Sequence, residues 1–124
     1  MHLFGTEERR LSLNKYFKKN EAEKYAFYKI PKALFTNEKY KTVSTDAKML
    51  YGLLLDRMYL SARNGWVDRY GRVYQFFTIK QGQELLHFGH DKIIRLFGEL
   101  EKADLIQRNR QGQGKANIIY LKKF

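Results

Sequence analysis

Positively charged side chains gather near the C-terminal end of the sequence, where they could hold the phosphates of a nucleic acid. Residues 105–124 contain five basic side chains and no acidic one, in a 124-residue chain with a formal net charge of +11. A Lys or Arg that neutralises a phosphate releases counterions, which makes this kind of binding depend on salt. The side chains predicted to contact phosphates or the minor groove are Arg108, Arg110, Gln113 and Lys115. The alternative is a solubilising edge strand, since such strands often carry Lys.

A second set of polar side chains falls on one predicted helix, at about residues 90–102, from which base edges could be read. Its apolar residues recur at helical spacing and predict a buried face made of Ile93, Leu96, Phe97 and Leu100. Lys92, Arg95 and Glu99 then form an outer stripe, and Arg95 could pair with a guanine through two hydrogen bonds. The base contacts predicted near the start of the helix are His90, Asp91, Lys92 and Arg95. The alternative is an ordinary solvated face with Lys–Glu pairs.

The segment just before this helix predicts the first helix of a helix-turn-helix unit. Thr78 is a candidate N-cap, the sequence IKQGQELL after it predicts a short helix, and residues 87–89 predict a tight break. We expect Thr78, Lys80 and Gln81 to face the DNA backbone, because the unpaired N–H groups at a helix N-terminus bind phosphate. The alternative for Thr78 is a plain helix cap, and the two roles are compatible.

The remaining segments predict the elements that must hold these two helices. Ser44 is a candidate N-cap for a long core helix, which ends at Asn64 and Gly65. The other predicted elements are a short strand at 25–30, a short helix at 32–35 and a β-hairpin at 65–77. The core helix carries apolar residues at steps of three and four, as a helix packed on two neighbours requires.

The order helix, hairpin, short helix, turn, longer helix and basic hairpin is typical of a winged helix-turn-helix domain. The wing would consist of two strands, at 105–110 and 117–121, joined by a glycine-bearing turn. We therefore predict an α+β fold: a winged helix-turn-helix domain over residues 25–124, with an N-terminal arm at 1–24 and a C-terminal β-hairpin wing at about 105–122. The arm is interpreted as a partly ordered segment, with a dimer or DNA contact as the alternative.

Metal and thiol chemistry finds little support in the sequence. It contains no cysteine, and its three histidines do not stand at metal-ligand spacing. Neither a phosphate loop nor a nucleophile-elbow motif is present. We therefore expect no catalysis, no cofactor and no bound metal. The N-terminus lacks the apolar core of a signal peptide and no stretch is apolar enough to span a membrane, so we expect a cytoplasmic protein.

Several runs of this sequence resemble the N-terminal domain of RepA_N replication initiators of Gram-positive plasmids. They are FYKIPKALF at 27–35, VSTDAKMLYGLLLDRM at 43–58, NGWVDRYGRVYQFFT at 64–78, LFGELEKADLI at 96–106 and RNRQGQGKANIIYLKKF at 108–124. The resemblance extends over about residues 25–124. The predicted helix at about 90–102, the reading helix, starts with Gly89-His90-Asp91, where many relatives have Ser-, Arg- and Gln-like residues. This departure concerns which DNA sequence is bound and not the mode of binding.

The resemblance implies binding to repeated origin sites, called iterons, commonly as a dimer. It also implies recruitment of host replication proteins through a separate C-terminal domain, which we expect to lie outside a chain that ends at Phe124. We expect a homodimer formed through the N-terminal arm and the strand at 25–30. Two other roles remain open, a transcriptional repressor of the same fold and a winged helix used for protein–protein contact. The acid-free wing argues against the second of these.

Overall fold

The structure is a computed structural model that describes residues 6–112 and 115–124. Along these residues run five helices and three strands, with single turns of 3-10 helix at Ala22–Lys24 and Glu38–Tyr40. The helices are α1 (Thr6–Leu13), α2 (Ala33–Thr36), α3 (Thr45–Arg63), α4 (Ile79–Leu86) and α5 (His90–Lys102). The strands are β1 (Gln75–Phe77), β2 (Ile106–Asn109) and β3 (Asn117–Leu121). In the described ranges, no helix is both long and apolar enough to cross a membrane.

The long helix α3 begins and ends at the residues that its sequence predicts. Ser44 is the N-cap, because its side-chain oxygen accepts a hydrogen bond from Ala47 N at 3.1 Å. Asn64 follows the last helical residue, and Gly65 takes a φ of +77°, a left-handed conformation in which a Cβ would be strained. The glycine therefore lets the chain leave the helix sharply.

The hydrophobic core lies between α3, α5 and the sheet. The residues predicted to form the buried face of α5 are all fully buried: Ile93, Leu96, Phe97 and Leu100. They join Leu50 of α3 and Phe77 and Ile119 of the sheet in one cluster. The rings of Phe77 and Phe97 pack against each other, with centroids 5.8 Å apart. The apolar half of the predicted reading helix is thus confirmed.

A three-residue turn joins α4 to α5, as a helix-turn-helix unit requires. Thr78 caps α4 in a capping box with Gln81: the Thr78 hydroxyl accepts from Gln81 N at 3.0 Å, and the Gln81 side chain accepts from Thr78 N at 2.9 Å. His87 ends α4 in left-handed backbone, with a φ of +58°, and Gly89 is the N-cap of α5. The predicted helix–turn–helix is confirmed.

The strands form one antiparallel sheet in the order β1–β3–β2. Strands β2 and β3 make the wing hairpin, in which Arg108 lies opposite Ile119. Strand β1, which directly precedes the helix-turn-helix unit, pairs with the other edge of β3, with Phe76 opposite Ile118. The fold is the predicted α+β winged helix-turn-helix. The wing is joined to the helix-turn-helix unit through β1, which pairs with β3, and through the core that α5 shares with the sheet.

The strand predicted at 25–30 is absent; this segment is irregular and runs across α3. Gly52 of α3 makes the crossing possible, because a Cβ there would lie 2.9 Å from Ile30 Cγ1 and 3.2 Å from the Lys29 carbonyl oxygen. Alternating aromatic residues predict a strand only when a strand partner is available. Here the segment packs on a helix, so the prediction was wrong.

The hairpin predicted at 65–77, with residues 66–67 and 73–74 flanking a turn at 68–71, is confirmed at those residues but does not extend to residue 77. A single bridge joins Val67 to Val73, and Tyr74 N donates to the Trp66 carbonyl oxygen at 3.0 Å. The last three residues of the predicted hairpin form β1 instead, because β3 offers them a longer edge.

Asp68 organises the turn of this short hairpin and links it to the wing. Its carboxylate accepts hydrogen bonds from Tyr70 N and Arg72 N, each at 2.9 Å, from Arg72 Nε at 2.8 Å and from Tyr120 Oη of β3 at 3.1 Å. Partial burial works to raise the pKa of Asp68, but these hydrogen bonds, chiefly those from Arg72, lower it to about 2. The turn is therefore held by an ionised side chain at neutral pH.

Candidate nucleic-acid interface

The side of α5 that faces away from the core is the candidate reading surface. At about 100° per residue, the positions opposite the buried face are Asp91, Ile94, Arg95, Gly98 and Lys102, and all five are exposed. Within the described ranges, no hydrogen bond or ion pair holds the guanidinium of Arg95. A cation of this kind on an outward helix face can pair with a base or a phosphate without breaking a contact in the protein.

His90 and Asp91 lie at the exposed N-terminal end of α5, as predicted. His90 Nδ1 is 3.3 Å from Asp91 Oδ1, and both side chains are largely in solvent. Residues in the first turn of a reading helix reach deepest into a major groove. The imidazole can donate to a base acceptor, and the carboxylate can accept from a cytosine amine.

Lys92 lies on the flank of α5 that faces α3, and its ammonium group is already engaged. Its Nζ is 2.9 Å from Asp46 Oδ2 and 3.8 Å from the centre of the Phe88 ring. The carboxylate and the ring together hold the cation between the first turns of α3 and α5. The sequence predicted a base contact for Lys92, whereas the structure gives its ammonium a tertiary partner; reading a base would require that ion pair to open.

Glu99 also faces α3, and its predicted place on the outer stripe is wrong. Its carboxylate accepts from Ser44 N at 2.8 Å and from Ser44 Oγ at 2.9 Å. This is the contact that an acidic residue at position 47 would make in a capping box, but Ala47 has no polar side chain, so α5 supplies the carboxylate. The interaction fixes the reading helix against the N-terminus of α3.

Arg108, which the sequence predicts to contact a phosphate or the minor groove, is a largely buried structural residue of the wing. Only 7% of its side chain is exposed, its Nη2 lies 2.5 Å from Glu101 Oε1, and its guanidinium sits 5.2 Å from the centre of the Phe97 ring. Strand β2 leaves the end of α5 directly, which brings Arg108 back over that helix. The base of the wing is therefore less positive than its sequence indicates.

The tip of the wing keeps its positive charge. Arg110 and Lys115 are exposed on either side of the turn, and Gly112 has a φ of +120°, which glycine tolerates and other residues rarely adopt. The predicted contact Gln113 lies outside the described residues. At the far end of the hairpin, Lys122 Nζ lies 2.5 Å from Asp104 Oδ1, so that cation is paired.

The predicted backbone contacts at the start of α4 have mixed roles. Thr78 and Gln81 are engaged in the capping box, whereas Lys80 is exposed. The cap uses the Gln81 side-chain oxygen, and an amide also carries two donor hydrogens. Gln81 can thus cap α4 and still donate to a phosphate, and Lys80 adds a cation beside it. The Thr78 hydroxyl already donates to Gln81 Oε1 at 3.3 Å, so it would have to turn away from that oxygen to meet a phosphate.

The structure brings together two lysines that sequence reasoning missed. Lys39 and Lys102 line one cleft at the C-terminal end of α5, with Thr42 and Glu99 between them. The two lysines are 63 residues apart in the sequence (102 − 39), so no local pattern could have paired them. Lys102 is on the outward side of α5, which makes the pair a candidate second cationic contact.

Comparison with known proteins identifies a family. Residues 26–124 match RepA_N, described as the N-terminus of replication initiator protein A (RepA). A 41 kDa protein of Lactobacillus helveticus is 40% identical over an alignment of 101 residues, and the match covers 77% of this chain and 29% of that protein. The chain therefore spans less than a third of the length of this relative.

Solved structures with the same fold share 39% sequence identity with this chain. One is described as the N-terminal domain of a DNA-binding protein, with a TM-score of 0.72 over 87% of this chain and 82% of the other. Another is described as the structure of a Rep–DNA complex, with a TM-score of 0.73 over 87% of this chain and 83% of the other.

Proposed function

The chain belongs to the RepA_N family of replication initiator N-termini, and we propose that it binds double-stranded DNA sequence-specifically at the iterons of a plasmid origin. The observation that carries this proposal is the outward face of α5, where Arg95 is exposed one turn after Asp91, with His90 exposed at the start of the helix. A similar solved structure that is described as a Rep–DNA complex supports the same role. We further propose that the domain has no catalytic activity.

The reading step would place α5 in the major groove. Arg95 would donate two hydrogen bonds to O6 and N7 of a guanine, and His90 and Asp91 would contact neighbouring bases. The wing tip would then lie along the adjacent backbone, where Arg110 and Lys115 would neutralise phosphates. Thr78 and Lys80 at the start of α4 would fix the register of the unit on the duplex.

Dimerisation is the second part of the proposal. The N-terminal segment and α3 expose a group of aromatic side chains, at fractions of 55–71%: Phe17, Tyr25, Phe27, Tyr28 and Tyr59. Several of them adjoin: the rings of Phe17 and Tyr25 are 5.7 Å apart, and Phe27 and Tyr59 line one cleft. Adjoining exposed aromatic residues mark interaction surfaces, and binding to repeated origin sites would bring a second copy of this chain as the occupant. Sedimentation velocity should show a dimer that Tyr59→Asp converts to a monomer. A wild-type chain that stays monomeric at high concentration, without DNA, would count against this part.

Recruitment of host replication proteins is proposed for the whole initiator only. The relative from Lactobacillus helveticus is more than three times as long as the matched region, since that region is 29% of it. Such recruitment would be a task for parts of the initiator beyond the DNA-reading domain.

The proposed function is tested by selecting, from many DNA sequences, those that the protein binds. The chain is incubated with a library of randomised duplexes, and the bound sequences are compared with the origin of the plasmid that encodes it. Enrichment of a motif that recurs in that origin is the expected result. A motif found only in promoters would instead favour a transcriptional repressor, and no enrichment at all would favour a protein-contact module.

A further inference from the structure

Two residues on the outward face of α5 do nothing evident for the fold. Ile94 is 42% exposed, although its neighbour Ile93 is fully buried. Gly98 lies one turn further on, and a Cβ added to it would meet nothing within 4 Å. Glycine inside a helix costs about 1 kcal/mol relative to alanine, and no contact in the described structure requires glycine at this place.

Single apolar residues on a surface are common and need no explanation. These two, however, are four residues apart, so they lie side by side on the helix surface. Arg95 borders them directly, on the same outward face. The face therefore has a smooth, uncharged strip beside the cation that is expected to read a base.

We propose that Ile94 packs against the C5 methyl group of a thymine, and that Gly98 lets α5 approach the base edges closely at that point. The inference rests on the proposed DNA reading by α5. The thymine methyl is the one apolar group that a base pair presents in the major groove, and apolar side chains recognise it. A helix with its side chains is about 10–12 Å wide and the groove about 12 Å, so the loss of one side chain allows a deeper fit.

The test uses the duplex that the chain itself recovers from a randomised library. Each thymine is replaced singly by deoxyuridine, which removes only the methyl group, and affinities are measured by fluorescence anisotropy. At one position beside the guanine read by Arg95, the wild-type chain should bind the uracil duplex about fourfold more weakly, the equivalent of one buried methyl. With Ile94→Ala, the thymine and uracil duplexes should bind equally at that position.

Leu85→Ala is the matched control, since Leu85 is also 42% exposed but lies on α4. It should keep the fourfold response to uracil. A response that is absent at every thymine, or that survives in Ile94→Ala, overturns the assignment of Ile94. If the wild-type chain recovers no preferred duplex at the outset, the proposed function itself fails, which separates the two failures.

Gly98→Ala tests the close approach independently. Its melting temperature should be equal to or higher than that of the wild type, because alanine favours the helix and meets open space. Its affinity for the selected duplex should nevertheless fall by roughly tenfold, within the range for an added methyl group in a tight contact. Wild-type affinity in Gly98→Ala would overturn the role of Gly98.

Discussion

Replacing Arg108 with alanine should weaken the fold and leave the DNA contacts intact. The guanidinium stacks over Phe97, at 5.2 Å from the ring centre, which is worth about 0.5–2 kcal/mol. It also pairs with Glu101, and because 38% of the glutamate side chain is exposed, that ion pair contributes at most about 1 kcal/mol. Loss of both contacts should lower the free energy of unfolding by about 2 kcal/mol.

Urea unfolding followed by the fluorescence of Trp66 measures this loss. Arg108→Met keeps much of the apolar stem and should recover part of the stability, since a buried arginine stem contributes packing as well as charge. Arg110→Ala is the matched control, because Arg110 lies just after the end of β2 and is exposed. Its free energy of unfolding should change by no more than about 0.5 kcal/mol.

In DNA binding the effects should be reversed: Arg110→Ala should weaken the phosphate contacts, and Arg108→Ala should leave them unchanged. In a plot of log affinity against log salt concentration, Arg110→Ala should reduce the slope by about 1, as expected for one lost phosphate contact. Arg108→Ala, studied without urea and at a temperature where it is folded, should keep the wild-type slope. An Arg108→Ala protein with wild-type stability and a slope reduced by about 1 would refute the structural role assigned to Arg108.

Three further predictions concern contacts made by α3 and its N-cap. Glu99→Gln should lower the free energy of unfolding by about 1–2 kcal/mol in urea, because the charged acceptor for both Ser44 donors is lost; wild-type stability would contradict the interhelical cap. Gly52→Ala should destabilise by about 1 kcal/mol, since crowding against Ile30 outweighs the gain in helix propensity; a raised melting temperature would contradict that packing. Burial raises the pKa of Tyr51 to about 12 from 10.0. Its contribution to stability is therefore present below pH 10 and lost as the pH rises from 10 to 12, and Tyr51→Phe should make the pH dependence shallower across that window.

Local patterns predicted the helix-turn-helix unit because local physics decides it. The spacing of Ile93, Leu96 and Phe97 fixes which side of α5 is buried, whatever it packs against. The caps at Ser44 and Thr78 were also predictable, since each bonds to a backbone N–H three residues along the chain. The fold class follows from the order of such elements.

Tertiary partners could not be predicted from the same patterns. The segment at 25–30 has the alternation of a strand, but only the structure reveals that a helix and not a strand edge lies beneath it. Lys92 meets Asp46, 46 residues away (92 − 46), and Arg108 folds back onto Glu101 of the preceding helix. A count of positive charges therefore overstates how many cations face outward: Arg95, Arg110 and Lys115 are exposed, whereas Lys92 and Arg108 have acidic partners.

Sequence reading by α5 should depend on Arg95. Fluorescence anisotropy with the selected duplex and a scrambled duplex, across a salt series, tests it most directly when wild type and Arg95→Ala are compared. Wild type should prefer the selected duplex, and Arg95→Ala should lose about 1–3 kcal/mol of that preference, as for one bidentate base contact. Equal loss of affinity for both duplexes in Arg95→Ala, with the preference unchanged, would contradict it and make Arg95 a phosphate contact.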